Sequence, residues 1–375
     1  MRPLKLAIMG ILSICILHTA LSEDIKVGVN LPLSGNLTSY GKATLDGIKL
    51  KTEEINAAGG VNGNKLVLII EDNKGDQTET RNAYKKLAGS DKVAAVLGPI
   101  TSTNAIAVRR DAAEIKVPMI SPTATNDKVT PRNSYMFRAC FNDSFQGKIA
   151  ANYAIKDKGY KTAAVLVDMN SDYSKGLCES FKKAFEDAGG KIVAEENYQQ
   201  KDTEFGAQLK KIKGSGAQTV FVPGYPPELP LIIKQAKVIG LDAKLCGADG
   251  WDNETVINGS GPNIEGCFIV GAFSREDQRP AVQNFVKSFE KTYNAKPGTF
   301  EALGYDTVSM LCEALKKGTT PELVKEGMKG IKGFEAVTGK ISVTLDGNVE
   351  KNAVILEIGK DGDKYAGKYK ATVNP

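Results

Sequence analysis

The sequence predicts an α/β protein built from two doubly wound, mostly parallel sheets that form two lobes. Strand-like and helix-like segments alternate from one end of the chain to the other, which is typical of parallel sheets with helices on both faces. The chain of 375 residues also contains more strand-like segments than one sheet comfortably holds, so we expect two sheets. Ligands of such open sheets bind beyond the carboxyl ends of the strands, and two lobes that face each other in this way form a cleft.

The N-terminal segment is predicted to be a secretory signal peptide spanning residues 1–22. It has a positively charged start, an apolar run over residues 6–17 and small residues at Ala20 and Ser22, where a signal peptidase would cut. The apolar run is short for a membrane span, which disfavours an uncleaved anchor. A lipoprotein modified at Cys15 is a weaker alternative, because a bulky residue precedes that cysteine. We therefore expect a periplasmic mature protein.

Strands and helices can be assigned in order along the first half of the chain. Apolar residues alternate over residues 25–31 as a strand requires, and a helix follows that ends at Gly59 and Gly60. Asp76 with Glu79 predicts a capped helix start. Further strands are predicted over residues 66–70, 93–97 and 117–120.

The same alternation continues through the second half. Asp143 with Gln146 predicts the capped start of a helix that runs to about residue 156. Strands are predicted over residues 163–167, 192–194, 219–222, 244–246, 267–270, 339–341 and 353–358, and helices over residues 177–185, 205–212, 229–239, 281–293 and 300–317.

Composition argues against most enzymatic chemistry and against nucleic acid as a partner. The single histidine, His18, lies in the predicted leader, so the mature chain would have none. Histidine is the commonest acid–base catalyst near neutral pH and a common metal ligand. The formal net charge of +5 falls to +3 when Arg2 and Lys5 leave with the leader, and the remaining charges are interspersed. We expect a binding protein rather than an enzyme, with no cofactor and no metal.

The five mature cysteines admit one candidate disulfide. Cys246 and Cys267 each lie in a predicted strand, and these strands can be neighbours in a sheet. Buried free thiols are the equally open alternative. No pair has C-x-x-C spacing, which disfavours a zinc site.

Two segments of the first lobe have the chemistry of an anion site. Residues 97–104 and residues 120–125 each follow a predicted strand and are rich in hydroxyl groups, and the first leads into a helix. Hydroxyls and free N–H groups at a helix start suit a carboxylate. Ordinary helix capping is the alternative for each segment.

The second lobe offers rings and one carboxylate after its predicted strands: Tyr173, Tyr225, Asp249 and Trp251. Asp249 can pair with an ammonium group, and the rings can supply an apolar or cation–π wall. The alternative for each ring is a place in the core, and for Asp249 a helix cap. Carboxylate-binding hydroxyls on one lobe and an acid for an amine on the other describe an amino-acid site.

A set of motifs spread over nearly the whole mature chain resembles one family. They are IKVGV (25–29), LSG (33–35), YG (40–41), INAAGGVNG (55–63), LGPITST (97–103), ISPTAT (120–125), FR (137–138), Asp143 with QG (146–147), GY (224–225) and GWD (250–252). On these motifs the chain resembles the leucine/isoleucine/valine-binding protein family, the solute receptors of ATP-driven amino-acid importers.

The resemblance implies a bilobal type I periplasmic binding protein with a three-crossover hinge. Lobe 1 would comprise residues 23–140 plus 273–350, and lobe 2 residues 141–272 plus 351–375. The resemblance also implies the ligand contacts. The carboxylate and amine would meet Ser102, Thr125 and the backbone of Thr123; the amine would also meet Asp249 and Tyr225; the side-chain pocket would be formed by Tyr40, Ile100, Tyr173 and Phe300.

The sequence departs from the better-known branched-chain receptors at several of these places. Asp249 stands where they have a glutamate, and Trp251 where they have a small apolar residue. Gly75 and Thr101 occupy the positions of a first-lobe disulfide. These departures leave the amino-acid clamp in place and bear on which side chain it prefers.

We therefore predict a monomeric receptor of an ABC importer that closes over a small amino acid, branched-chain or otherwise apolar. Its partners would be the membrane permease and ATPase subunits. One alternative is a receptor of the same fold for an amide, urea or an aromatic acid. Others are a histidine-free hydrolase that uses carboxylates alone, and a ligand-sensing domain.

Overall fold

The computed structural model describes residues 24–375, and the predicted signal peptide lies outside this range. The strands are β1 Ile25–Leu31, β2 Leu66–Asp72, β3 Ala95–Leu97, β4 Met119–Ser121, β5 Met136–Arg138, β6 Thr162–Asp168, β7 Lys191–Tyr198, β8 Thr219–Phe221, β9 Lys244–Gly247, β10 Phe268–Gly271, β11 Phe334–Ala336, β12 Gly339–Val343, β13 Val349–Glu350, β14 Ala353–Asp361 and β15 Lys364–Val373. The helices are α1 Thr38–Ala57, α2 Gln77–Lys85, α3 Ser102–Ile115, α4 Asp143–Asn152, α5 Asp172–Asp187, α6 Gly206–Gly214, α7 Glu228–Val238, α8 Glu254–Ser260, α9 Pro280–Tyr293, α10 Thr299–Leu315 and α11 Pro321–Lys329.

The first sheet has the strand order β2-β1-β3-β4-β5, and all of its neighbours are parallel. Apolar side chains pack on both of its faces, one cluster with α1 and α10 and the other with α2 and α3. Burial on both faces explains why these short strands are almost wholly apolar. This sheet and its helices form the first lobe.

The second sheet has the order β15-β14-β10-β9-β8-β6-β7. Its strands β6 to β10 are parallel to one another, whereas β14 and β15 add an antiparallel edge. Two apolar clusters again cover its two faces. A small antiparallel sheet of β11, β12 and β13 packs beside the first lobe. The predicted α/β fold of two mostly parallel sheets is confirmed.

The chain passes between the two lobes after β5, after β10 and after β13. Two buried or half-buried cations tie these passages to the segment between β11 and β12. Arg279 donates hydrogen bonds to the carbonyls of Ala336 and Val337, at 3.2 and 2.8 Å. Lys351 contacts the hydroxyl of Thr338, which itself donates to Asp306 at 2.6 Å. The passages therefore meet on one short stretch of backbone.

The predicted disulfide between Cys246 and Cys267 is wrong, because all five cysteines of the described residues are free and buried. Strands β9 and β10 are indeed neighbours, but their register pairs Cys246 with Phe268. Cys267 therefore points to the opposite face of the sheet from Cys246, and the two thiols lie in different apolar clusters. The prediction that the two strands are neighbours was correct, whereas the register between them is offset by one residue from the one a disulfide needs.

The start of α4 also differs from the prediction. Asn142 is the capping residue, and its side chain accepts the N–H of Phe145 at 3.3 Å. Asp143 is the first residue of the helix and is completely buried. Within residues 24–375, no helix has the length and apolar character needed to cross a membrane.

Candidate ligand-binding site

A small cavity lies between the lobes, beyond the carboxyl ends of strands from both sheets. The space that atoms leave unfilled there is about 260 Å³, part of it open to solvent. Its wall is formed by Tyr40, Ile100, Thr101, Thr123, Tyr173, Tyr225, Asp249, Gly250 and Phe300. The position agrees with the general rule for open α/β sheets. Seven of the ten residues proposed from the sequence line this cavity together.

The first lobe contributes two loops that hold each other in place. The Thr123 hydroxyl donates to the carbonyl of Ile100 at 2.7 Å, so the loop after β4 is fixed to the loop after β3. Ser102 opens α3 directly behind Thr101, and its hydroxyl accepts the N–H of Asn126 at 3.1 Å. The positive end of the α3 dipole therefore lies beside the cavity wall, where it favours an anionic group.

Arg138 supports the second of these loops from below. It is fully buried and donates to the carbonyls of Ala124, Thr125 and Asn126, at 3.0, 2.6 and 2.9 Å. A guanidinium carries several donors in a rigid fork, and here three consecutive carbonyls receive them. The loop is thus preorganised by a cation that does not itself reach the cavity wall.

Four aromatic rings form a continuous band across the cleft. Tyr40 and Phe300 of the first lobe stack with their centroids 4.3 Å apart, and Tyr173 and Tyr225 of the second lobe stack at 5.1 Å. Tyr40 meets Tyr225 edge to face at 5.9 Å, which joins the two pairs. The Tyr40 hydroxyl also donates to the carbonyl of Gly250 in the opposite lobe. The rings give the cavity an apolar wall and bring the lobes into contact.

Asp249 supplies the acid of the cavity. It follows β9 in a short 3-10 turn and is 5% exposed. Tyr173 donates to its Oδ1 at 3.0 Å, and Gln146 accepts its backbone N–H at 2.8 Å. Burial raises the pKa of Asp249 to about 6, while the hydrogen bonds from Gln146 and Tyr173 oppose the rise. The group is therefore still mainly ionised at neutral pH and is costly to leave without a cationic partner.

Asp143 and Gln146 are site residues that the sequence analysis assigned to helix capping. Asp143 is completely buried, and neither of its carboxyl oxygens has a hydrogen-bond partner among the described residues. Burial raises the pKa of Asp143 well above its usual range, and the charge of Asp249 adds to the rise. The sequence contained a signal for this role, because an acid and an amide three residues apart at a helix start can both face the cleft.

Three of the proposed residues lie outside the cavity wall. Trp251 is fully buried in the core of the second lobe, where its indole N–H donates to the carbonyl of Val222 at 2.6 Å. It fits there because Gly247 leaves room for the ring. Ser102 and Thr125 lie behind the wall, and the Thr125 hydroxyl has no hydrogen-bond partner among the described residues. The proposal that Trp251 contacts ligand is therefore corrected.

The cavity places groups of opposite electrostatic character at its two edges. An ionised carboxyl lies on one side of the cavity, and a helix start with hydroxyl groups lies on the other. Between residues 24 and 375, no cluster of His, Cys, Asp or Glu side chains is suited to hold a metal. The fold and this enclosed cavity define a two-lobed solute-binding protein.

Comparison with known proteins identifies the family. A family model described as periplasmic binding protein matches residues 24–363. The chain belongs to the periplasmic binding protein family, as the motifs of the sequence indicated.

Named relatives agree with this assignment. The leucine-, isoleucine-, valine-, threonine- and alanine-binding protein of Pseudomonas aeruginosa is 29% identical over 353 residues, which is 92% of this chain and 93% of that protein. The crystal structure of the branched-chain amino-acid transporter substrate-binding protein LivJ of Streptococcus pneumoniae, in complex with isoleucine, is 34% identical. It has a TM-score of 0.86 and covers 92% of this chain and 100% of that one.

A further solved structure has a different kind of ligand. The solute-binding protein of an ABC transporter from Rhodopseudomonas palustris, in complex with 3,4-dihydroxybenzoic acid, is 25% identical with a TM-score of 0.85. It covers 94% of this chain and 97% of that one. Similar folds therefore hold amino acids and aromatic acids.

Proposed function

We propose that this protein is the extracytoplasmic receptor of an ABC importer, and that it captures a small apolar amino acid, branched-chain in the first instance, by closing its lobes. The observation that carries the proposal is the position of Asp249. A buried carboxyl faces a cavity whose opposite edge is the start of α3 with the hydroxyl-bearing Thr101 and Thr123. A zwitterion matches both edges at once.

Each end of such a ligand has a chemical partner. The ammonium group would pair with Asp249, and such a pair offsets the cost of burying either charge alone. The carboxylate would lie at the start of α3, with the backbone of the loop carrying Thr123 as a donor. Ser102 and Thr125, which lie behind the wall, would contribute their hydroxyls only after a small shift toward the ligand. Asp143 would be a second acid near the ammonium group, and its burial raises its pKa and so disfavours its charged form.

The size and lining of the cavity support a small apolar side chain. Ile100, Tyr40 and Phe300 contribute an aliphatic side chain and two stacked rings to the wall. The cavity is small, with about 260 Å³ of unfilled space that is partly open to solvent, and this favours a compact ligand. An aliphatic amino acid fits this wall better than a long charged one.

The role in transport follows from the same geometry. The lobes, residues 23–140 plus 273–350 and residues 141–272 plus 351–375, would move about the three passages of the chain. Closure around the solute would create the surface that a permease recognises, with an ATPase as the further subunit. We expect the mature receptor to be monomeric and periplasmic, and to release its ligand chemically unchanged.

An aromatic acid is the second candidate ligand. It is favoured by the band of four rings and by the Rhodopseudomonas structure. Such a ligand has no cation, so it would leave Asp249 buried without a partner, next to the ligand's own negative charge. This cost favours the amino acid.

A thermal-shift screen tests the proposal. The purified mature protein is heated with each of the standard amino acids and with benzoate and 4-hydroxybenzoate. A ligand at a hundred times its dissociation constant adds about 2.7 kcal/mol of stability. We expect isoleucine, leucine or valine to raise the melting temperature most. If only the aromatic acids raise the melting temperature, the amino acid is wrong and an aromatic acid is the ligand class.

A further inference from the structure

The turn that carries Asp249 also reaches across the cleft. Asp252 follows the turn directly, and its N–H donates to the carbonyl of Asp249 at 3.0 Å. Trp251 anchors the same turn in the core through its indole N–H. Asp249 and Asp252 are therefore parts of one rigid unit, and displacement of one carries the other with it.

A matching unit lies on the first lobe at the start of α10. Glu301 accepts the N–H of Gly298 at 2.9 Å and so closes the first turn of this helix. Thr299 points across the cleft and donates its hydroxyl proton to Oδ2 of Asp252. Its neighbour Phe300 lines the cavity. Each lobe thus contributes one residue to the cavity wall and, close beside it in the chain, one residue to a contact between the lobes.

The hydrogen bond between Thr299 and Asp252 should stabilise the closed form more than the exposed ion pair between the lobes does. Lys296 approaches Asp361 at 3.3 Å, but the lysine side chain is 59% exposed, and such pairs contribute little. Thr299 is 1% exposed, and burial raises the pKa of Asp252 while the Thr299 hydrogen bond lowers it. Asp252 itself is half-buried, and a partly buried hydrogen bond to a carboxylate is stronger than an exposed ion pair.

We propose that Asp252 is a positioning residue for lobe closure, which latches the closed form through Thr299 whenever ligand engages Asp249 and Phe300. The proposal rests on the proposed function, since it assumes that the lobes close over a solute. The latch lies outside the cavity wall, so it acts on how long the closed form persists. It should therefore slow ligand release and leave ligand selectivity unchanged.

Stopped-flow binding of L-isoleucine tests the latch. Binding is followed by the fluorescence of Trp251, the only tryptophan of the chain, which lies in the latch turn. We expect Thr299→Val to speed release about 10-fold, which corresponds to about 1.4 kcal/mol. The association rate should change much less than the release rate, since most effects of variants at one interface fall on dissociation. Thr299→Ser, which keeps the donor, should restore slow release.

The matched control is Thr255→Val, an exposed threonine on the second lobe three residues after Asp252. It should leave both rate constants unchanged. Equal release rates for the wild type and Thr299→Val would overturn the latch. The melting temperature of the ligand-free protein separates a latch from a merely structural role, because a latch variant should melt with the wild type.

A cross-link keeps the latch testable if no amino acid binds. In the pair Asp252→Cys with Thr299→Cys, mild oxidation should join residues 252 and 299, detected by mass spectrometry of the whole mature chain. Absence of this cross-link would contradict the contact itself. Failure of every amino acid to bind, together with an efficient cross-link, would overturn the ligand class of the proposed function and retain the latch.

Discussion

The Tyr173 hydroxyl donates a hydrogen bond to Oδ1 of Asp249 at 3.0 Å and accepts one from the N–H of Gly250 at 3.2 Å. One phenol thus holds both the acid of the cavity and the backbone of its turn. Burial raises the pKa of Tyr173 well above its usual value, so the hydroxyl keeps its proton as a donor. A hydrogen bond to the charged form of an acid favours that form, so Tyr173 helps Asp249 to remain an anion.

We expect Tyr173→Phe to weaken amino-acid binding about 10-fold, since a hydrogen bond to a charged group contributes about 1.5–3 kcal/mol. The loss should appear in calorimetric titrations at pH 7, with a higher apparent pKa for Asp249. The control is Tyr369→Phe on β15, whose ring is 39% exposed. Unchanged affinity in Tyr173→Phe would show that the hydroxyl does not set the charge of Asp249.

Ligand affinity should fall in mild acid because Asp249 must be ionised to pair with an ammonium group. Its pKa rises with burial from 3.8 to about 6. One pH unit below this value only about a tenth of the protein carries the charge, so affinity at pH 5 should be about 10-fold weaker than at pH 7. The stability of the unliganded protein has the opposite pH dependence. The folded protein binds the Asp249 proton more tightly than the unfolded chain does, so the contribution of Asp249 to the free energy of unfolding decreases as pH rises from about 4 to 6.

Two variants isolate this titration. Asp249→Asn should bind weakly at both pH values and lose the step in affinity. Glu301 titrates nearby, because burial raises its pKa to about 7. Glu301→Gln should keep the step in affinity near pH 6. If the step moves in this variant, the pH dependence belongs to Glu301 and not to Asp249.

The alternation of strands and helices was sufficient to predict the two sheets, because each buried strand and each amphipathic helix leaves a local pattern. Side-chain direction within those elements was not predictable in the same way. The register between β9 and β10 decides whether two thiols can meet, and it depends on packing across the whole sheet. Cys246 and Cys267 therefore lie on opposite faces, although their strands are neighbours.

The same distinction between local pattern and side-chain direction applies to the residues of the site. Asp249 was found because an acid directly after a strand must lie at the cleft edge. Asp143 was interpreted as a helix cap because local sequence favours that role, whereas its complete burial depends on tertiary packing that local sequence does not reveal. Trp251 could not be placed, since only the absence of a side chain at Gly247 allows its ring to fold back into the core.

Gly247 is thus a specific point of sensitivity. A Cβ atom at this position would lie 2.4 Å from three atoms of the Trp251 indole, which is far inside van der Waals contact. We expect Gly247→Ala to destabilise the protein by about 1–3 kcal/mol through overpacking, and to weaken ligand binding because the turn carrying Asp249 moves. Chemical denaturation and calorimetry measure the two effects.

The control is Gly214→Ala at the exposed end of α6, where a Cβ atom meets nothing within 4 Å. Alanine is the better helix residue by about 0.5–1 kcal/mol, so this change should be neutral or slightly stabilising. Similar effects from the two alanines would mean that the indole does not fill the space above Gly247.

Lys351 should be essential to the stability of the hinge. It is 2% exposed at the third passage between the lobes, and it contacts Thr338 while lying 3.4 Å from the carbonyl of Ala139 in the first passage. Burial lowers its pKa to about 8 and the charge of Asp306 opposes the fall, so the amine is still mainly charged at pH 7. Lys351→Met would remove the buried cation whose charge favours the ionised form of Asp306 and would leave the Thr338 hydroxyl without this donor, at a cost of about 1–3 kcal/mol. The free energy of unfolding, measured by urea denaturation at pH 7, should fall accordingly.

The control is Lys340→Met, at a lysine whose side chain is 66% exposed, and its free energy of unfolding should stay within about 0.5 kcal/mol of the wild type. A free energy for Lys351→Met that matches this control would contradict the prediction, because it would mean that Asp306 is stable in the hinge without this positive charge.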